Sequence, residues 1–113
     1  MMRRRRLMVM QDEEEYFVPD YFDWRMPAKV KIGRRFGVSV EASIDVKKIT
    51  VTFSDGTVVG EKTQEQANNS SPPLRYSIIV TAPTEKGDLI ICVYGTNENG
   101  DNTETFSKSI TVY

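Results

Sequence analysis

Histidine is absent from this chain of 113 residues, and cysteine occurs once, as Cys92. One cysteine cannot form an intrachain disulfide, which excludes a disulfide-stabilised scaffold. Without histidine, the chain lacks the most common general base, the Ser-His-Asp triad and the ligands of most zinc sites. We therefore expect a protein that is not an enzyme and that holds no metal or cofactor.

Long apolar runs are also lacking. The sequence begins MMRRRRLMVM, but its apolar part, Leu7 to Met10, ends before Gln11. A secretory signal needs an apolar region of roughly 7 to 15 residues, and a membrane helix needs roughly 20. We expect neither a signal peptide nor contact with a membrane.

Neither sign of charge is in excess, since 15 basic and 16 acidic residues leave a net charge of -1. The two signs are segregated near the N-terminus, where a basic block, Arg3 to Arg6, precedes an acidic block, Asp12 to Glu15. A terminal run of arginines is as often a solvated tail as a binding element. Nucleic acid is therefore not the partner that we expect.

Short alternating apolar runs begin at Ala28. In AKVKI, VSVEASI, KKITVTF, RYSIIVTA, DLIICVYG and FSKSITVY, apolar residues occupy every second position, as they do in half-buried strands. Six or seven such runs without a helical period predict an all-β sandwich. In the first runs, the positions predicted to face inward are Val30, Ile32, Val38, Val40, Ala42 and Ile44.

Turn residues separate these runs. Ser54 to Gly56 predicts a hairpin. Asn97 to Asn102 (NENGDN) predicts a turn with Gly100 at positive φ, because its single Asp and single Glu are too few for a calcium loop. The polar segment Glu61 to Pro73 is about twice as long as a median connection and predicts a crossover between the two sheets.

Five of the eleven aromatic residues fall between Glu15 and Pro27. The segment shows no strand or helix period, and its two prolines oppose both structures. We predict an extended N-terminal arm over residues 1–27, followed by a domain over residues 28–113. The arm either covers its own domain or docks on another protein, and we favour docking. Its candidate partner-binding residues are Arg3, Arg4, Arg5, Arg6, Tyr16, Phe17, Tyr21, Phe22 and Trp24.

The run LIICVY has two apolar faces, one of which carries Ile90, Cys92 and Tyr94. The outer face of a two-sheet sandwich is usually polar. Either this is a central strand shaded by its neighbours, or Ile90 and Tyr94 contact a partner chain or the folded-back arm. These two residues complete the candidate partner-binding set, and Cys92 is expected to be a small buried hydrophobe.

The segments VKKITVTFSDGT, YSIIVTAP and GDLIICVYGTNENGDNTETFSKSITVY resemble bacterial immunoglobulin-like domains of the Big type. Such domains are found in bacterial surface proteins and in tailed-phage virion proteins. The resemblance covers roughly residues 28–113 and departs from the family pattern at Leu89, where Tyr is favoured, and at Asn97, where Asp is frequent. It implies an immunoglobulin-like β-sandwich of about seven strands.

The resemblance and the lack of a signal together favour a non-enzymatic phage virion accessory protein, either a capsid decoration or a tail component. Its N-terminal arm would hold it on capsid or tail subunits, and it could also form a homo-oligomer. The alternative is a bacterial surface or secreted module that acts as a spacer or binds carbohydrate or protein. The resemblance further implies weak binding of a host-surface glycan, with Tyr76, Asn97 and Asn99 as candidates.

Overall fold

The computed structural model of the protein describes residues 16–113, and Arg3, Arg4, Arg5 and Arg6 lie outside them. The described residues form two sheets. We call β1-β3-β6 the small sheet and β2-β8-β7-β4-β5 the large sheet. The strands are β1 Phe22–Arg25, β2 Lys29–Val30, β3 Arg35–Ala42, β4 Lys48–Phe53, β5 Val58–Thr63, β6 Leu74–Thr81, β7 Gly87–Thr96 and β8 Phe106–Val112, and a 3₁₀ turn spans Gln64–Gln66. The predicted all-β sandwich is confirmed.

Strand pairing is antiparallel throughout, except that β2 runs parallel to β8, with Lys29 opposite Thr111. In the small sheet, β3 pairs along its whole length with β6. In the large sheet, β7 lies between β4 and β8 and pairs with both. The longest strand of residues 16–113, β7, is therefore also a central one.

The core lies between the two sheets and follows the alternation of the sequence. On β3 and β6, every second residue is buried and the residues between them are mostly exposed, because successive side chains of a strand point to opposite faces. The inward side chains of the large sheet meet them, as expected for two packed sheets. The main contributors are Val38, Val40, Ile49, Val51, Tyr76, Ile78, Val80, Ile91, Val93 and Ile110.

The predicted turns are confirmed. Gly56, at φ +91°, lies in the hairpin between β4 and β5, and Gly100 has φ +87°. The Asn97 side chain accepts hydrogen bonds from the backbone N–H groups of Asn99, at 3.0 Å, and Asp101, at 2.9 Å. The connection from β5 to β6 crosses between the sheets as predicted, but it begins at Gln64 because Glu61 to Thr63 extend β5.

The predicted boundary between arm and domain is wrong. Strand β1 lies inside the predicted arm and pairs with β3, with Trp24 opposite Val40. Phe17 and Trp24 belong to the core and are 1% and 7% exposed. The segment Phe22–Arg25 itself alternates apolar and charged residues, and the two prolines flank it without interrupting it. The sandwich therefore includes chain that precedes Ala28.

Two predicted core positions are also wrong. Ile32 is 39% exposed, because β2 ends at Val30 and a turn with Gly33 at φ +70° follows. Ile44 is 55% exposed, because β3 ends at Ala42. Val46 packs in the core instead and is fully buried. Alternation thus predicted the inward side chains only as far as each strand continued.

Candidate interaction surface

The structure separates the predicted partner-binding residues. Phe17 and Trp24 fill the core of their own domain. The backbone N–H of Phe17 donates to the Asn102 carbonyl oxygen at 2.8 Å, which joins this segment to the loop after β7. The prediction that these two side chains anchor in another protein is therefore corrected, because both are already buried in this one.

Phe22 also packs within its own domain. Its ring stacks on that of Phe106, with centroids 5.2 Å apart, and it lies beside Gly95. Tyr16 is half-buried at the same end of the sandwich. Of the arm aromatics, Tyr21 is the exposed one, at 44%, and it extends the outer side of β1. Residues 16–27 of the predicted arm thus contribute mainly to the structure of the domain.

Ile90 and Tyr94 lie together on the outer side of the large sheet, as predicted for one face of β7. The sheet register places Tyr94 beside Thr50 and Cys92 beside Thr52, and it places Thr52 beside Val58 on β5. We define the large-sheet face as the outward side chains Thr50, Thr52, Val58, Ile90, Cys92 and Tyr94.

The centre of the large-sheet face is uncharged and closely packed. Thr50, Thr52 and Cys92 are 2%, 7% and 9% exposed although they point away from the core. Ile90 and Val58, at 39% and 54%, form the accessible apolar part. The predicted burial of Cys92 is confirmed, and its sulfur lies 3.5 Å from the Ser107 hydroxyl oxygen.

Charged groups lie at the margin of the face. Lys48 and Glu61 form an ion pair of 3.9 Å there. An uncharged centre with charges at its rim is the arrangement of protein-protein interfaces. Neighbouring strands shade Cys92, as expected of a central strand, while Ile90 stays accessible. That Ile90 and Tyr94 bind a partner stays a prediction.

The face offers little for chemistry. The Thr50 hydroxyl oxygen is buried and has no hydrogen-bond partner. Within residues 16–113, no group of three or more Cys, Asp and Glu side chains is placed to hold a metal ion. Over the same residues, no helix has the length and apolar character needed to cross a membrane.

The candidate glycan residues do not form a site. Tyr76 is 1% exposed, and its hydroxyl is buried between the sheets without a hydrogen-bond partner. This burial raises the pKa of Tyr76 above its ordinary value of 10.0. The Asn97 side chain is buried, and its oxygen already accepts the two hydrogen bonds of the turn described above. Asn99 alone is exposed, so the prediction for Tyr76 and Asn97 is corrected.

The sequence reasoning missed the threonines and Val58 as members of the face. Their signal is visible in KKITVTF, where Thr50 and Thr52 occupy the polar positions of an alternating strand. Threonine is short and β-branched and suits a sheet surface. Recognising that these residues share a face with Ile90 required the pairing of β4 with β7.

No protein-family model matches this sequence, and no curated protein matches it. Solved structures do match its fold. The superoxide reductase (neelaredoxin) of Ignicoccus hospitalis aligns with a TM-score of 0.62 and 15% identity over 84% of this chain and 82% of that one.

Two further matches are small modules. The fibronectin(III)-like modules of CbhA from Clostridium thermocellum align with a TM-score of 0.58 and 16% identity, over 81% of this chain and 95% of that one. The PKD domain of an M14-like peptidase from a Thermoplasmatales archaeon gives a TM-score of 0.54 and 13% identity, over 83% and 94%. The chain has an immunoglobulin-like β-sandwich fold. At these identities the likeness concerns the fold alone.

Proposed function

We propose that this chain is a non-enzymatic accessory protein of a phage particle, located in the virion, which docks through its large-sheet face. The observation that carries the proposal is the uncharged centre of that face, with Ile90 and Val58 accessible. Its partner is a capsid or tail subunit with a flat apolar surface. Arg3 to Arg6, which lie outside the described residues, would add salt-sensitive contacts to the partner.

The phage setting comes from the sequence resemblance to immunoglobulin-like domains of tailed-phage virion proteins. The fold supports the coarser part of the proposal, a structural or interaction module, because loops and outer faces remain available on a rigid sandwich. Central apolar side chains contribute most of the binding energy at such interfaces, and rim charges contribute less.

The second candidate is a module within a bacterial surface or secreted protein, where it serves as a spacer or binder. The match to the CbhA and peptidase modules favours this second candidate. The alignment covers 95% of the CbhA module and 94% of the peptidase module. The two candidates differ in location, since the first predicts the protein in particles and the second predicts it in the cell envelope or the medium.

The test is immunodetection of the protein in particles purified from its own host, alongside the envelope and medium fractions. We expect the protein in the particles at a fixed ratio to the major subunit. Ile90→Arg should shift it to the free fraction. Ile79→Arg is the matched control, because Ile79 is an exposed isoleucine, at 56%, on the small sheet. Detection only in the envelope or medium would contradict the proposal and support the second candidate.

A further inference from the structure

Four of the described strands lie at the edges of the two sheets, β1 and β6 in the small sheet and β2 and β5 in the large sheet. An edge strand exposes backbone N–H and C=O groups that can pair with another strand, and proteins usually protect such edges. Strand β6 differs from the other three in this protection.

Each of the other three edges has a feature that opposes further pairing. Strand β2 has only two residues. On β1, the Trp24 carbonyl oxygen already accepts a hydrogen bond from the Lys108 ammonium. Strand β5 carries the charged Glu61 and Lys62, and its pairing with β4 has an irregular register. Short length, charge and irregular pairing are usual means of protecting an edge.

The backbone of β6 faces β3 and the free edge in alternation. Directly after β6, the Ala82 N–H donates to the Arg34 carbonyl oxygen at 2.8 Å, towards the small sheet. The Arg75 backbone faces the free edge, where its N–H donates to the Asn69 side chain at 2.8 Å and its carbonyl oxygen accepts from the Asn68 N–H at 2.7 Å. Since this direction alternates along an antiparallel strand, the odd-numbered residues of β6 face the edge.

The edge therefore presents the backbone groups of Ser77, Ile79 and Thr81. Within residues 16–113, no loop or side chain donates to or accepts from these three N–H and three C=O groups. All three residues are exposed, and the segment from Tyr76 to Thr84 contains no charged residue. An exposed edge without charge is a template for strand pairing.

The core side of β6 holds this edge in place. Ile78 points inward and is 2% exposed, and β5 passes so close to it that a Cβ atom at Gly60 would lie 2.4 Å from an Ile78 methyl carbon. On the outer side, Ile79 is 56% exposed and lies opposite Gly37, which has no side chain to cover it. The edge is thus a supported and accessible strand.

We propose that β6 pairs with β6 of a second copy of this chain, antiparallel and with the two Ile79 residues at the twofold axis. In this register Ser77 of each copy lies opposite Thr81 of the other, and the three residue pairs exchange six backbone hydrogen bonds. The two isoleucines meet on the outer surface, and the short hydroxyl side chains meet on either side of them. Such cross-strand pairs stabilise antiparallel sheets. The two small sheets would form one sheet of six strands.

The neighbouring registers pair fewer groups. An axis at Ile78 would place Thr81 opposite Arg75, whose backbone groups are already bonded to the loop before β6. An axis at Val80 would place Ser77 opposite Pro83, which has no N–H. The register centred on Ile79 is therefore the one that pairs all the free groups of both copies.

This pairing is independent of the docking proposed above, because β6 belongs to the small sheet and leaves the large-sheet face free. Ile79→Arg, the control of the docking test, would bring two guanidinium groups together at the twofold axis. We expect that variant to lose the pairing and to remain in the particles. Failure of either proposal therefore leaves the other intact.

The test is sedimentation velocity of the full chain together with amide hydrogen exchange, both at roughly 0.01 to 1 mM, because a small interface of this kind is weak. We expect a monomer–dimer equilibrium. At the highest concentration the amides of Ser77, Ile79 and Thr81 should exchange at least about tenfold more slowly than at the lowest. The Arg75 amide is already bonded to Asn69 and should not change.

Two double variants test the register. Ser77→Lys with Thr81→Glu places opposite charges across the two outer pairs, whereas Ser77→Lys with Thr81→Lys places like charges there. Their dimer dissociation constants should differ by at least about fivefold. Ser109→Lys with Thr111→Lys, at exposed positions of β8 in the large sheet, is the matched control and should dimerise as the original chain does.

Amide spectra of all variants show whether each remains folded. A chain that stays monomeric at the highest concentration, a dimer without slowed exchange at the three amides, or equal dissociation constants for the two double variants would overturn the proposal. Protection of the three amides only after addition of the particle's major subunit would show that the edge accepts a strand of another protein, and self-pairing would then be wrong.

Discussion

The Lys108 ammonium lies 4.5 Å from the centroid of the Trp24 ring and donates a hydrogen bond of 2.7 Å to the Trp24 carbonyl oxygen. This contact joins β8 of the large sheet to β1 of the small sheet across the side of the sandwich. Lys108 lies on β8 two residues before Ile110 and therefore on the same side of the strand, but Ile110 is buried and Lys108 is exposed. A lysine can fill such a position because its long stem packs along apolar surface while its ammonium reaches the edge.

Replacing Lys108 should measure the strength of this connection. Lys108→Met keeps the apolar stem and removes the charge, so we expect a loss of about 1 to 2 kcal/mol from the cation-π contact and the charged hydrogen bond. Chemical denaturation, monitored by the fluorescence of Trp24, gives the free energy of unfolding. Lys86→Met, on an exposed residue between β6 and β7, is the control. Equal stabilities for the two variants would show that the contact contributes nothing.

Truncation tests whether the N-terminal segment belongs to the domain. A chain that begins at Ala28 loses the buried Phe17 and Trp24 and the partly buried Phe22, and the loss of a buried Phe or Trp side chain typically costs about 3 to 5 kcal/mol. Their sum approaches the total stability of a small domain, about 5 to 15 kcal/mol. We expect the chain 28–113 to be unfolded.

The matched control for this truncation is the chain 16–113, which keeps β1 and should unfold cooperatively. Circular dichroism and thermal unfolding of both chains provide the measurement. If the shorter chain unfolded cooperatively at the same temperature as the longer one, β1 would be dispensable for the stability of the domain.

Removing the Tyr76 hydroxyl should not destabilise the protein. That hydroxyl is buried and has no hydrogen-bond partner, and a buried polar group without a partner is costly. We expect Tyr76→Phe to be neutral or to stabilise the fold by about 1 kcal/mol. Tyr113→Phe, at an exposed tyrosine, is the control and should change stability by less than about 0.5 kcal/mol. A loss above about 1 kcal/mol in Tyr76→Phe would reveal a bond that the hydroxyl makes in solution.

The pH dependence of stability gives a second measurement on Tyr76. Burial raises its pKa above the ordinary 10.0, so the folded state holds the phenol proton more tightly than the unfolded state does. Its contribution to stability is complete below about pH 10 and falls as the pH rises towards the folded-state pKa. Between pH 9 and 11, denaturant midpoints of the original chain should therefore fall more steeply than those of Tyr76→Phe. If the midpoints of the original chain and of Tyr76→Phe fell equally with pH, a raised pKa of Tyr76 in the folded state would be contradicted.

Gly95 is required because its neighbours approach closely. A Cβ atom at this position would lie 2.8 Å from a Val46 methyl carbon and 3.1 Å from a Phe22 ring carbon. We expect Gly95→Ala to destabilise the fold by about 1 to 3 kcal/mol through overpacking. Gly37→Ala is the control, since its Cβ would meet only Ile79, at 4.0 Å. Thermal unfolding of the two variants provides the comparison. If Gly95→Ala were as stable as Gly37→Ala, Phe22 would move aside without a cost in stability.

Much of the fold could be predicted from local patterns. The alternation in VSVEASI and RYSIIVTA identified β3 and β6 together with their inward residues, and Gly56 and Gly100 identified turns. The candidate face could be predicted only in part. Ile90 and Tyr94 were recognised because β7 is apolar on both sides, but Thr50, Thr52 and Val58 reach that face through pairing between strands distant in sequence.

The sequence by itself determined the all-β class, the inward side of the long strands and the positions of the turns. Each follows from a period of two or from the backbone freedom of glycine, and both are local properties. Only the tertiary structure decided that β1 completes the small sheet, that Lys108 meets Trp24, and that β6 lies at an edge of its sheet. Those outcomes depend on strand order and register, which are determined by contacts between segments far apart in the chain.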